Sequence, residues 1–331
     1  MLQPVIINVT RGDFVESTHA VSFAVIGPDD ALIMSSGDAD RAVFPRSSVK
    51  AFQALPLIES GAADHFGFTD AELALACSSH SAEPDHVAAV ATMLAKAGLD
   101  ESALECGANW PMHGPSRDAM LLAGERPRPI HNECSGKHAG MLALARFKGW
   151  PHAGYVEAEH PVQRTIRAVM SEVCGISLEA APCGIDGCSV PTWAIPLEAV
   201  ARGFSRLASG RGMSEARAKA CARILAATSA YPQMVAGSER FDTNVMTAVP
   251  RLFVKSGAEG YMVAAIPHAG IGLAAKCLDG ASRASTTATM ALLLELDCWT
   301  EDERVALAAF ASRPVFNRRN DEVGLIEPAA G

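Results

Sequence analysis

Ser47-Ser48-Val49-Lys50 is the one place in this chain where a serine stands three residues before a lysine. Lysine is scarce, seven against twenty-one arginines, so arginine supplies most of the positive charge. An amine can give up its proton and act as a base, which a guanidinium cannot. Residues three apart on a helix share a face, so the Ser47 hydroxyl and the Lys50 amine can meet. A serine hydroxyl is a weak nucleophile until a neighbouring base takes its proton. S-x-x-K is a recurring answer to that problem. Taken alone, the same letters also suit a helix start with a capping serine and a solvated lysine. The surrounding sequence decides between the two.

Upstream, residues 5–9 and 20–26 alternate in strand fashion, Gly27-Pro28-Asp29-Asp30 is a turn, and residues 31–34 resume the sheet. Pro45 then precedes an amphipathic helix carrying Ser47, Lys50, Phe52, Leu55 and Ile58, closed by Ser60-Gly61. Pro56 inside it is expected to kink or restart the helix. Thr69-Asp70-Ala71-Glu72 is a capping-box start, and residues 83–97 have helical periodicity. Residues 106–133 hold four prolines and three glycines and read as a long irregular loop, a kind that is usually functional. Further helices are expected around 138–148, 161–174 and 214–229, strands at 251–255, 261–266 and 271–276, and a final helix through 284–296. The expectation is an α/β fold, an antiparallel sheet flanked by helices. Residues of about 1–45 and 250–300 would form the sheet, and about 60–245 a mainly helical inserted region, within a single catalytic unit over 1–331.

The 331 residues are 49% hydrophobic and 20% charged, which is ordinary globular composition. A formal net charge of −9 argues against nucleic-acid binding. No apolar run is long enough for a membrane span. The first residues, Met1-Leu2-Gln3-Pro4-Val5-Ile6-Ile7, show no basic segment and no small-residue cleavage site. With nine cysteines, an odd number, the expectation is a cytoplasmic protein with reduced thiols.

Lys255-Ser256-Gly257 ends the first of the returning strands, where glycine lets a substrate approach the backbone. An S-x-x-K helix, a helical insertion, K-S-G on a returning strand and a terminal helix follow the order seen in serine β-lactamases and glutaminases. No S-D-N, S-x-N or Y-x-N stands between the two motifs, which excludes a standard β-lactamase or penicillin-binding protein. Cys77-Ser78-Ser79-His80-Ser81 is the best substitute and offers Ser79; capping by Ser79 or Ser81 accounts for the same letters. Asn132-Glu133-Cys134-Ser135-Gly136-Lys137-His138 and Cys183-Gly184-Ile185-Asp186-Gly187-Cys188 form two cysteine-bearing turns of the kind that hold a soft metal, although their spacing is not that of a zinc finger.

Together these strings, F-P-R-S-S-V-K (44–50), C-S-S-H-S (77–81), C-S-G-K-H (134–138), C-G-x-D-G-C (183–188) and K-x-G-A-E-G (255–260), resemble the bacterial L-asparaginases typified by the inducible rhizobial enzyme. That family is related to glutaminases and serine β-lactamases. The resemblance implies two Ser–Lys pairs, Ser47–Lys50 and Ser79–Lys255. It also implies a zinc ion held by Cys134, Lys137 and Cys188 with Asp186 close by, and a homodimer. The expected reaction is hydrolysis of L-asparagine through a serine acyl-enzyme. Charge complementarity suggests Arg46 and His138 as cations for the substrate carboxylate, and Asp186 or Glu259 for its ammonium. The alternatives are a glutaminase or broader amidase of the same fold, since one methylene is worth only ~1–3 kcal/mol in a pocket, or a non-catalytic, zinc-dependent amino-acid-binding protein.

Overall fold

The computed structural model describes residues 3–329. The chain divides into two compact units, residues 1–48, 194–211 and 245–331 in one, and residues 49–193 and 212–244 in the other.

The first unit is built on an eight-stranded sheet whose pairings are all antiparallel. Its strands are β1 (Val5–Arg11), β2 (Phe14–Ile26), β3 (Leu32–Ser36), β8 (Phe253–Gly257), β9 (Tyr261–Ile266), β10 (Ile271–Cys277), β11 (Arg313–Phe316) and β12 (Glu322–Pro328). The order is β11-β12-β1-β2-β10-β9-β8, with β3 on β2. β2 is 13 residues long and outruns β1, so its far end, Phe23–Ile26, is free to pair with β3. Every residue of β9 is buried, because α8 (Leu197–Ser209) and α12 (Ser282–Leu294) both pack on the centre of the sheet. α13 (Glu301–Ala311) packs on α12, and the short β4 (Ala42–Val43) pairs with β7 (Ile195–Pro196). β11 and β12 lie beyond the expected sheet. Pro314 sits in β11, which is an edge strand, the one place a sheet tolerates proline.

The second unit is helical. It holds α1 (Lys50–Glu59), α2 (Ala62–His65), α3 (Asp70–Ala76), α4 (Pro84–Lys96), α5 (Gly114–Leu122), α6 (Ser135–Lys148), α7 (Pro161–Cys174), α9 (Glu215–Ala230) and α10 (Pro232–Val235). A hairpin of β5 (Cys183–Ile185) and β6 (Pro191–Trp193) completes it, and α11 (Phe241–Ala248) spans the boundary. α1 packs against α6, α7 and α9, and Lys50 through Leu57 are all buried. Pro56 does not interrupt α1: it lies in the last turn, where its carbonyl still accepts Ser60 N–H at 3.1 Å. The long loop 106–133 encloses α5, a helix with no buried residue.

The capping box of α3 is formed as expected, with Thr69 N–H donating to Glu72 Oε2 at 2.7 Å and Glu72 N–H to Thr69 Oγ1 at 3.3 Å. Thr69→Ala is expected to lower unfolding free energy by about 1 kcal/mol in a denaturant titration. An unchanged midpoint would show that the Glu72–Lys96 ion pair holds this helix start alone.

Candidate active site

Ser47 sits half-buried on a 3-10 turn, Arg46–Val49, that runs directly into α1. The unit boundary falls inside this motif, after Ser48, so Ser47 belongs to the first unit and Lys50 to the second. Arg46 has φ of 54°, a left-handed conformation uncommon outside glycine and one that tends to be kept at functional sites. Ser48 donates its hydroxyl to Pro45 O at 2.7 Å, which leaves Ser47 as the hydroxyl not tied down by this turn's own carbonyl.

The K-S-G strand lies against the same turn. A Cβ on Gly257 would stand 2.8 Å from Pro45 O and 3.2 Å from Ser48 N, so only glycine lets β8 approach so closely. Lys255, two residues earlier on β8, is fully buried, and its Nζ donates to Ser256 O at 3.1 Å. Glu259 sits exposed in the β8–β9 turn with φ of 58°, its carboxylate resting against Gly280 and its charge near Lys276.

In the second unit Lys50 is the hub. It is fully buried, and its Nζ lies 2.6 Å from Ser78 O, 2.9 Å from Ser79 Oγ and 3.1 Å from Cys134 Sγ. Lys50 thus contacts the serine that the resemblance paired with Lys255. Ser79 follows the C-terminus of α3, and Cys134 stands at the N-terminus of α6. Asn132 shapes the Cys134 turn: its Oδ1 accepts Cys134 N–H at 2.9 Å while its amide donates to Cys106 O and Gly107 O.

Lys137, on the first turn of α6, donates to Cys188 Sγ at 3.1 Å. The β5–β6 hairpin turns Cys188 inward and leaves Cys183 exposed, so only one cysteine of the second string joins the cluster. Cys134 and Cys188 share a hydrogen bond, and the Cys188 thiol is pulled down to about 5 by that bond and by the ammonium groups of Lys137 and Lys50, against its burial. The Cys134 thiol is correspondingly raised, first by the bond to Cys188 and then by burial. Burial works to lower the Lys137 pKa, but Cys188, Cys134 and Asp186 outweigh it and raise it. One thiolate, one thiol and one ammonium therefore meet in a buried cluster, and the thiol and the ammonium must give up their protons before the set could hold zinc.

Burial first, and then the Lys137 charge, hold the His138 pKa down to about 3, which favours the neutral ring. Tyr155 OH accepts Glu105 N–H at 3.0 Å and meets His138 Nδ1 at 2.6 Å. Tyr155 and Glu105 carried no motif that would have singled them out.

Two other features lie apart from this chemistry. An apolar groove of about 700 Å³ runs between α4 and α5, and none of the residues lining it belongs to the cluster. His19, Cys277 and Asp279 meet in the first unit, their donor atoms within 4.8 Å of one another. His19 Nδ1 lies 2.6 Å from Asp279 Oδ2, and Cys277 Sγ donates to Asp279 Oδ1 at 2.9 Å. Arg283 Nε donates to His19 Nε2 at 3.2 Å, so the imidazole is satisfied on both nitrogens, and the trio together with Arg283 is a clasp between β2, β10 and α12. Burial pushes the Cys277 thiol up to about 11, which keeps it a neutral donor.

Among solved structures, a β-lactamase from Mycobacterium bovis is similar at 15% identity and a TM-score of 0.39, over 88% of this chain and 95% of that one, a likeness too loose to support any inference. No curated protein matches the chain. A protein-family model, L-asparaginase II, matches residues 7–328. With that match running from β1 to β12 and taking in every motif of the site, the chain belongs to the L-asparaginase II family and is an L-asparaginase, an amidohydrolase.

Proposed function

We propose that this asparaginase converts L-asparagine to L-aspartate and ammonia through an ester formed on Ser47, with Lys50 as general base. The observation that carries this reading is the buried Lys50 amine, held 2.9 Å from Ser79 Oγ at the end of an S-x-x-K motif. Ser47 Oγ attacks the side-chain amide carbon as its proton passes to Lys50. When the tetrahedral intermediate collapses, the C–N bond breaks and the nitrogen leaves with a proton delivered through Ser79, Lys255 being the second amine of this relay. Water then attacks the ester, giving up its proton to the same amine and restoring Ser47. Arg46 is the cation proposed for the substrate carboxylate, Asp186 or Glu259 the partner of its ammonium, and His138 a neutral N–H donor.

Zinc belongs to the same reading: Cys134, Lys137 and Cys188 would hold it, and its charge there would supply a contact that orients the substrate. Binding needs thiolates and a neutral amine, so metal content should fall as pH drops and protons compete for these atoms. Cys134→Ser should then raise KM more than it lowers kcat, because it removes binding common to ground and transition states. Metal analysis of the purified protein beside kinetics of Cys134→Ser checks both. Zinc-free protein with unchanged kinetics would leave the two thiols as packing groups. The resemblance further supports a homodimer, which sizing by light scattering tests, and the odd number of cysteines supports a cytoplasmic setting. Among the described residues no helix is long and apolar enough to cross a membrane.

The decisive assay is ammonia release from asparagine and glutamine, with a chromogenic β-lactam and a Ser47→Ala control alongside. Asparagine turnover that the control lacks supports the reading; equal or faster glutamine turnover would reassign the substrate.

A further inference from the structure

The turn that carries Ser79 is held by Lys50 on one side and by a second stretch of chain on another. Residues 233–238, the end of α10 and the loop after it, lie alongside residues 79–83. Ser79 N–H donates to Val235 O at 2.9 Å and Ser81 Oγ donates to Ala236 O at 2.8 Å. At the end of this pairing Glu83 gathers three donors. Its Oε1 accepts Ser238 N–H at 2.6 Å, and its Oε2 accepts the Ser238 hydroxyl at 2.8 Å and the Gln233 amide at 3.3 Å. His86 ties the same parts together, accepting Glu83 N–H at 3.1 Å and meeting Gln233 O at 2.9 Å.

The contact has no slack. Gly237 has φ of 122°, and a Cβ there would stand 2.6 Å from Glu83 Oε1 and 2.8 Å from Ser81 Oγ. Burial acts to raise the Glu83 pKa, but the bonds from Ser238 outweigh it and keep the carboxylate ionised, with both oxygens accepting. An amide in its place has one acceptor and one donor, and its NH₂ would face the Gln233 NH₂ or the Ser238 N–H.

We propose that Glu83 is a positioning residue for catalysis: through Ser238 it aligns residues 233–238 with the serine turn and so holds Ser79 Oγ at its 2.9 Å from Lys50 Nζ. It rests on the Ser79 relay proposed above. A relay serine displaced by a fraction of an ångström binds substrate as before but passes protons poorly, so the signature is a loss in kcat with KM retained.

The test is steady-state kinetics on asparagine, per folded enzyme, for Glu83→Gln, Gly237→Ala, Ser238→Ala and the Glu83→Gln/Ser238→Ala pair, with melting curves for each and Ser79→Ala as reference. Glu83→Gln and Gly237→Ala should each lose about tenfold or more in kcat with KM within about twofold. The pair should be no worse than Glu83→Gln alone, because both changes cut the same tie. Lower melting temperatures with wild-type kcat would make Glu83 a structural tie only and overturn the proposal. Losses that multiply in the pair would place its effect somewhere other than Ser238 and overturn the proposal equally. An undiminished Ser79→Ala would sink the relay itself, whereas a dead Ser79→Ala beside an unaffected Glu83→Gln would sink this inference alone.

Discussion

Ser47→Ala is expected to leave a folded protein without measurable asparagine hydrolysis, a loss of about a thousandfold or more in kcat. The neighbouring hydroxyl cannot take over, since Ser48 Oγ is spent on Pro45 O. The substitution removes one oxygen from a half-buried position, so the melting temperature should stay near that of the parent. The competing nucleophile is Ser79, whose Oγ lies 2.9 Å from the same lysine. If Ser47→Ala kept more than a few per cent of activity while Ser79→Ala was dead, the two serines would exchange roles.

Lys50→Arg should be as inactive, for a different reason. A guanidinium stays protonated at any pH at which the protein is folded, so it cannot accept the Ser47 proton. The substitution also forces a larger, planar group into a fully buried site made for one nitrogen with three neighbours, and overpacking of this kind costs about 1–3 kcal/mol. Activity of the parent should rise with pH, because a general base must be neutral to accept the proton. An active Lys50→Arg enzyme would remove general-base catalysis by this residue from the scheme.

What could be read in advance follows from how each feature is encoded. The two ends of the chain alternate with period two and the middle with the helical period, so the antiparallel sheet and the helical insertion were legible. β11 and β12 were not, because Pro314 and Gly324 interrupt their alternation and β12 is only half-buried along its length. The placement of α8 with the sheet was also hidden, since nothing in an amphipathic segment names the surface it will cover. In the site, Ser47, Lys50, Ser79 and the cysteines stood out because few residue types carry their chemistry. The direct Lys50–Ser79 contact did not, because sequence spacing is silent on partners brought together from separate elements. Nor did Glu83, which reads as an ordinary helix start and is given away only by the three donors converging on it.

The sheet places β12 (Glu322–Pro328) beside β1 (Val5–Arg11), so two strands some three hundred positions apart are hydrogen-bonded to each other. The sheet unit is assembled from three stretches of chain, and its final strand pairs with residues made some three hundred positions earlier. The helical unit closes at residue 244. Lys50, Ser79, Cys134, Lys137 and Cys188 all lie inside it, so during synthesis this cluster can be packed while β8 through β12 are still untranslated. Until β12 arrives, one edge of β1 is an open ladder, a template on which another chain could pair.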